Sequence, residues 1–330
     1  MSSNLKKIFI TGGSGYVGCV LVPELLKNGY HVTVIDLMIY GEDVLPDHPN
    51  LIKVKGDIRN LNLVKKLLTG KYAVIHLACI SNDPSFELNP DLGRSINLTP
   101  FEPLVKMSKD EGVRHFLYAS SSSVYGIKKE PNVTEDMPLK PLTDYSLYKA
   151  QCEDILQKYE SKTFATTILR PATVCGFSAR QRLDVVVNIL SNLAYHKREI
   201  SVFGGSQLRP NIHIFDMAKA YISILEAPTN LVSGEIFNIG AENHTVDELA
   251  EFVVLSMGED VSIKRTKTDD NRSYHVSSNK IHNIISFKPQ KTVADAINDL
   301  KLAFEIQVLK DPLNNPMYFN IKRMKEINMD

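Results

Sequence analysis

With 330 residues, 43% of them hydrophobic and 23% charged, the chain can bury a large core or two fused domains, and its composition excludes wholesale disorder. Lysine plus arginine and aspartate plus glutamate number 38 each, so no general attraction to nucleic acid or an anionic membrane is expected. An anionic ligand must be caught by a few placed groups. Cys19, Cys79, Cys152 and Cys175 form neither a Cys-x-x-Cys pair nor a zinc pattern, and His213 with Asp216 lacks metal-ligand spacing. Reduced thiols, no metal and a cytoplasmic location are the expectation. The amino terminus leads straight into a strand, and no apolar run approaches the ~20 residues of a membrane span.

Short β-branched runs alternate with amphipathic stretches through the first half, the pattern of βαβ units and a mainly parallel sheet. Strands are predicted at Lys7–Thr11, His31–Ile35, Leu51–Val54, Ala73–Leu77, His115–Ser120 and Phe164–Leu169, with helices between them. The helix after Gly15 carries Val17, Val20, Leu21 and Leu25 on one face, with Pro23 as a mild breaker. The helix from Asp144 carries Leu147, Ala150, Ile155 and Leu156. Past Pro171 the rhythm loosens. Helices at Leu183–Tyr195, Phe215–Leu225 and Val246–Met257, and strands at Ile200–Phe203 and Glu235–Ile239, suggest a smaller second domain. The stretch from Lys310 to Asp330 is polar and carries no signal of role. The expected architecture is α/β: a Rossmann-type doubly wound parallel sheet over residues 1–175, then a smaller mixed α/β substrate domain over 176–330, some of which returns to pack on the first.

Thr11-Gly-Gly-Ser-Gly-Tyr-Val-Gly18 joins the first strand to the first helix, where glycines permit a tight turn and close approach of a pyrophosphate. It parses as Gly-x-x-Gly-x-x-Gly from Gly12 or Gly-x-Gly-x-x-Gly from Gly13. Asp36, about twenty residues on at the end of the second strand, completes the dinucleotide pattern, although such an acid can also simply start a turn. With no basic residue just after it to receive a 2′-phosphate, Asp36 favours NAD over NADP. Farther along, Tyr145 and Lys149 share one helix face, so the ammonium can lower the phenol's pKa and let it act as a base. The same spacing recurs at Tyr125/Lys129, in a loop-like context, and at Tyr318/Lys322, in the polar tail. Position in the fold has to distinguish them.

These residues resemble the extended short-chain dehydrogenase/reductase family, in its NAD-dependent nucleotide-sugar epimerase and dehydratase branch. The resemblance runs through the glycine loop, Gly56-Asp57-Ile58-Arg59, His76-Leu77-Ala78, Asn97, Ser120-Ser-Ser-Ser-Val-Tyr-Gly126, Tyr145-x-x-x-Lys149, Leu169-Arg-Pro171, Arg209-Pro-Asn-Ile-His213 with Asp216, and Phe237-Asn-Ile-Gly240. It implies that Gly12, Gly15, Tyr16, Val17 and Gly18 cradle the cofactor, that Asp36 holds its adenosine ribose, and that Asp57 and Ile58 border the adenine. Leu77, Ala78 and Cys79 would line the nicotinamide side, with Asn97 as a further cofactor-binding residue and Lys149 on the nicotinamide ribose. Tyr145 would take a proton from a sugar hydroxyl as its carbon gives up hydride, and Ser121 would bond to the same oxygen, with Ser122 or Ser123 as possible substitutes.

The departures from the branch narrow the expected reaction. Dehydratases follow the catalytic hydroxyl with an Asp-Glu pair, and related decarboxylases have a glutamate at the second of these positions; here Ser122 and Ser123 stand there. Cys175 replaces a tyrosine common after Arg-Pro and reads as a small apolar filler. Arg209 and Arg272 are candidates for the substrate phosphates, and Asn82, in the loop after the fourth strand, for the sugar. The expectation is a 4-epimerase acting on a nucleotide-diphosphate-sugar. The alternatives are a net 4-dehydrogenase or ketoreductase, a 4,6-dehydratase, or a non-catalytic dinucleotide sensor. A homodimer through the helices around Leu98–Lys109 and Asp144–Tyr159 is expected from the resemblance.

Overall fold

The computed structural model describes residues 6–128, 130, 132–267 and 275–329. Twelve strands are β1 Lys7–Thr11, β2 His31–Asp36, β3 Leu51–Lys55, β4 Ala73–His76, β5 His115–Ala119, β6 Ala165–Pro171, β7 Thr173–Cys175, β8 Glu199–Phe203, β9 Leu208–His213, β10 Glu235–Ile239, β11 Glu242–Thr245 and β12 Ser262–Thr266. Seven of them form one parallel sheet in the order β10-β6-β5-β4-β1-β2-β3. Its central strands are apolar on both faces because helices cover both, so Ile8, Phe9, Ile10, Val74 and Ile75 are fully buried. The order reverses between β1 and β4. Loops leaving those two strands diverge, and the crevice they open is where an α/β sheet binds its ligand.

The second half does not stay apart from this sheet. The helix Ile214–Glu226 packs on Gly18–Lys27, and β10 then adds to β6, so the chain returns to extend the first sheet before leaving again. What remains outside is a small mixed sheet, β11-β9-β7, a parallel pair, β12-β8, and the helices Val186–Lys197, Val246–Met257 and Val293–Glu305 around their own apolar cluster. The predicted helix from Leu183 begins instead at Val186. Residues 177–185 are held extended by outside partners: Leu183 N–H donates to Tyr318 O at 2.9 Å, and Asp184 takes Arg182 and the Asn320 N–H.

The helix Asp144–Gln157 corrects the predicted apolar face. Thr143 and Ser146 cap it reciprocally, and its buried side is Ser146, Lys149, Ala150, Cys152, Glu153 and Leu156, while Leu147 is exposed. Three polar residues lie inward for distinct reasons. Ser146 completes the cap, Lys149 reaches the Ala119 carbonyl at 2.6 Å, and Glu153 makes an ion pair with Arg170 of β6 at 2.6 Å with both side chains 3% exposed. Ser120 donates to the same Glu153 carboxylate, and Arg170 donates to Tyr125 Oη at 2.8 Å, which in turn donates to Asn238 Oδ1 of β10 at 2.7 Å. Removing one member of such a pair strands the other charge in a low-dielectric interior. Glu153→Gln is therefore expected to lower the unfolding free energy by about 3–5 kcal/mol in urea titrations at neutral pH. A loss of less than about 1 kcal/mol, the range of an exposed pair, would contradict the assignment.

Candidate active site

A cavity of about 690 Å³ opens at the β1/β4 crevice and extends under the smaller sheets, a size suited to a small-molecule site. The glycine loop forms its floor. Gly12 has φ +72°, and a Cβ there would come within 2.5 Å of Ala78 N; a Cβ on Gly18 would lie 2.2 Å from Gly13 O. Both positions admit only glycine, which keeps the N-terminus of the helix Gly18–Lys27 close to the crevice, where the positive end of its dipole favours an anion.

At the end of β2, Asp36 accepts the N–H of Ser14 at 3.0 Å and of Met38 at 2.8 Å, which fixes its carboxylate beside the glycine loop. Burial raises its pKa, and those two N–H bonds work against the rise. Asp57 and Ile58 line the same end, with Asp57 held by Arg59 through Nε at 2.9 Å and Nη2 at 2.6 Å. Gly15, Tyr16, Val17, Leu77, Ala78 and Cys79 also border the cavity. Asn97 does not. Its amide clamps the Ile80 backbone, accepting from N–H at 2.8 Å and donating to C=O at 2.9 Å, so it shapes the loop after β4 from behind.

At the other end, Ser121, Ser122, Ser123, Tyr145 and Lys149 share one wall. Ser121, two residues past β5, caps a short 3-10 turn, Ser122–Tyr125, accepting from Ser123 N at 3.1 Å and from the Ser123 hydroxyl at 2.9 Å. Ser123 thus aims Ser121. Tyr145 accepts a bond from the Asn82 backbone N–H, and Asn82 itself sits at φ +72°, a conformation a non-glycine residue adopts only when its surroundings impose it. Helical spacing alone predicts that Lys149 lowers the phenol's pKa; the cleft does the reverse. Burial raises it well above the usual range, the Cys79 and Asp83 groups add to the rise, and Arg182 opposes it. The Lys149 ammonium lies 5.8 Å from the Tyr145 ring centroid and 5.0 Å from that of Tyr118. Beneath it His76, pushed down to about 3 by burial and by Lys149, is neutral and bonds Thr11 Oγ1 at 2.7 Å.

Of the other Tyr/Lys strings, Tyr125 is fully buried in the ion-pair network, Lys129 lies outside the described residues, and Lys322 turns to the Leu313 carbonyl at 3.1 Å. Arg209, on β9, lines the cavity, as do Phe203 and Gln207. Arg272 lies outside the described residues. Cys175 is fully buried, its thiol raised by burial and bonded to Ile212 O at 3.5 Å. His213 and Asp216 hold structure: His213 bonds Asp299 at 3.1 Å, and Asp216 accepts the Gln290 and Lys291 N–H groups. No helix among the described residues is long and apolar enough to cross a membrane.

Motif reading missed two contributors. Arg180 and Arg182 stand in the cavity wall, and the carboxyl-terminal segment crosses to the Asp36 end, where Met324 and Met329 line the cavity and Arg323 Nε donates to Ile39 O at 2.6 Å. Neither lies in a motif, and helical periodicity places a polar tail on the surface. The Asp36 carboxylate would contribute charge-assisted bonds to ribose hydroxyls, so Asp36→Asn should weaken dinucleotide binding about 10- to 100-fold and narrow the preference for an unphosphorylated ribose. Calorimetry with NAD and NADP checks both; equal affinities for wild type and variant would remove Asp36 from the site.

The model of the NAD dependent epimerase/dehydratase family matches residues 8–240. A UDP-glucose 4-epimerase of Lactobacillus helveticus is 27% identical over 312 residues, which cover 88% of this chain and 94% of that protein. The structure of a UDP-glucose 4-epimerase of Thermotoga maritima with UDP-glucose superposes with a TM-score of 0.82 at 23% identity, covering 92% of this chain and 100% of the other. A UDP-glucuronic acid 4-epimerase of Bacillus cereus, solved with UDP-glucuronic acid and NAD, gives 0.81 at 25% identity over 90% and 99% of the two chains. The glycine loop, the fixed Asp36 and the Tyr145/Lys149 wall line one cavity, and the chain belongs to the NAD dependent epimerase/dehydratase family.

Proposed function

We propose that the protein oxidises carbon 4 of a nucleotide-diphosphate-sugar and returns the hydride to the opposite face, a net 4-epimerisation. The observation that carries this reading is the cavity wall that joins Tyr145, Lys149 and Ser121 to the dinucleotide floor with serines, not acids, at positions 122 and 123. NAD, when bound, supplies the hydride acceptor. Tyr145 Oη takes the proton of the sugar hydroxyl, and Ser121 Oγ, aimed by Ser123, donates to the oxygen as it becomes a carbonyl. Lys149 is anchored to Ala119 O and available to a ribose hydroxyl. Elimination of water across the next carbon–carbon bond needs an additional acid and base. Glu153 is committed to Arg170 and Ser120, and Asp83 takes the Thr143 hydroxyl. The 4-epimerase names of the relatives above support the position of attack.

Purified protein given UDP-, GDP-, dTDP- and CDP-sugars should invert C4 by NMR without net NADH. A stable keto product, or NADH formed in proportion to substrate, overturns epimerisation in favour of a dehydrogenase. Tyr145→Phe should retain NAD while losing about 10²- to 10⁴-fold in turnover. Because the phenol's pKa is raised, its basic form is scarce at neutral pH. The rate of the first oxidation should therefore climb about tenfold per pH unit through pH 6–9 in pre-steady-state absorbance, and a flat profile would rule Tyr145 out as the base.

A further inference from the structure

Arg180 and Arg182 belong to the extended segment 177–185 and are only 3% and 9% exposed. Arg182 donates through Nε to Asp184 Oδ1 at 2.8 Å and through Nη1 to Ser81 Oγ at 3.4 Å, but its Nη2 is buried with no hydrogen-bond partner among the described residues. Arg180 donates through Nη2 to Asn320 Oδ1 at 2.6 Å, stacks on Tyr40 with 3.5 Å to the ring centroid, and leaves Nε likewise buried and unpartnered. Asp184 is thus the one carboxylate directly bound to these two buried guanidinium groups among the described residues; Asp36 interacts with Arg180 through space without a bond to it. A charge taken out of water without a counter-charge is costly, as is an N–H without an acceptor. Both faults are cured by the same thing, an anion with several oxygens.

The position of the pair identifies the anion. The segment is fastened to the glycine loop: Ser178 Oγ donates to Tyr16 O at 2.9 Å, Tyr16 Oη to Gly176 O at 2.6 Å, and Asn188 Nδ2 to Tyr16 Oη at 2.9 Å. The guanidinium groups therefore sit across from the anion-favouring N-terminus of the helix Gly18–Lys27, between Tyr40, just past Asp36, and Ser81, just past β4. Neither the glycine loop nor the stretch Cys79–Phe86 contains a lysine or arginine, so no other cation comes from those two loops. We propose that Arg180 and Arg182 clamp the pyrophosphate of the dinucleotide, supplying from the second half of the chain the positive charge that the glycine loop lacks. Asn320 ties this clamp to the carboxyl-terminal segment, so the same contact that holds the phosphates holds the strap over the Asp36 end. The clamp rests on the family's dinucleotide and is independent of which sugar is oxidised.

Calorimetric titration of wild type, Arg180→Met, Arg182→Met and Arg182→Lys with NAD, ADP-ribose, adenosine and UDP tests it. Either methionine variant should bind NAD and ADP-ribose about 10- to 100-fold more weakly, the loss of one charge-assisted contact, with adenosine and UDP unchanged and the lysine variant between. Unchanged NAD affinity in folded Arg182→Met protein, or weakening of UDP in place of NAD, overturns the clamp. Should the methionine variants not fold, competition in the wild type decides: inorganic pyrophosphate displaces NAD if the clamp exists and fails to do so if it does not. Wild type that binds no dinucleotide overturns the cofactor reading as well, whereas failure of the clamp alone leaves tight wild-type binding that the substitutions do not change.

Discussion

The buried Glu153–Arg170 ion pair is the contact on which the site's geometry depends. Arg170 comes from β6, Glu153 from the helix that carries Tyr145 and Lys149, and the Ser120 hydroxyl that precedes Ser121 bonds to the same carboxylate. Through Tyr125 and Asn238 the network reaches β10, the strand contributed by the second half. A charged pair in such a place gains little over well-packed apolar residues in stability, but its directional bonds fix the angle and depth at which the helix meets the sheet. In the proposed reaction Tyr145 and Ser121 meet one oxygen, and an apolar contact would tolerate sliding that this pair does not.

The cavity is made by the return of the chain. Residues 1–175 supply the glycine floor, Asp36 and the Tyr145 wall, but the opposite wall consists of Arg180, Arg182 and Arg209 from beyond β6. Tyr16 joins the two, since its hydroxyl is bonded to Gly176 and Asn188 while its backbone lies in the glycine loop. A ligand in this space faces the glycine loop, Asp36 and Lys149 on one side and guanidinium groups on the other. That placement of a few cations is how a chain with no net charge can hold an anionic dinucleotide.

Electrostatics in the cleft also revise the role of Lys149. Its ammonium is committed to the Ala119 carbonyl and lies over Tyr118 as much as over Tyr145, so helical spacing alone overstated its hold on the phenol. Burial outweighs it. Arg182, on the other wall, and the Asn82 N–H oppose the rise.

The sequence by itself determined the first six strands within a residue or two, the glycine loop, Asp36 and the Tyr145 wall, because each depends on local chemistry: two-residue alternation, glycine at φ > 0, and groups four apart on a helix. It also singled out Tyr145 from two identical strings by context. Periodicity failed where function inverts the usual rule. The inner face of the Asp144–Gln157 helix is partly polar, so the apolar count chose Leu147, which faces solvent. Only the tertiary structure decided that Asn97 braces Ile80 from behind, that β10 returns to the first sheet, that Arg180 and Arg182 are buried without enough counter-charge, and that the polar tail covers the Asp36 end. Each of these joins residues from some 17 to 280 positions apart, and burial of a charge is a property of everything packed around it, which no local pattern encodes.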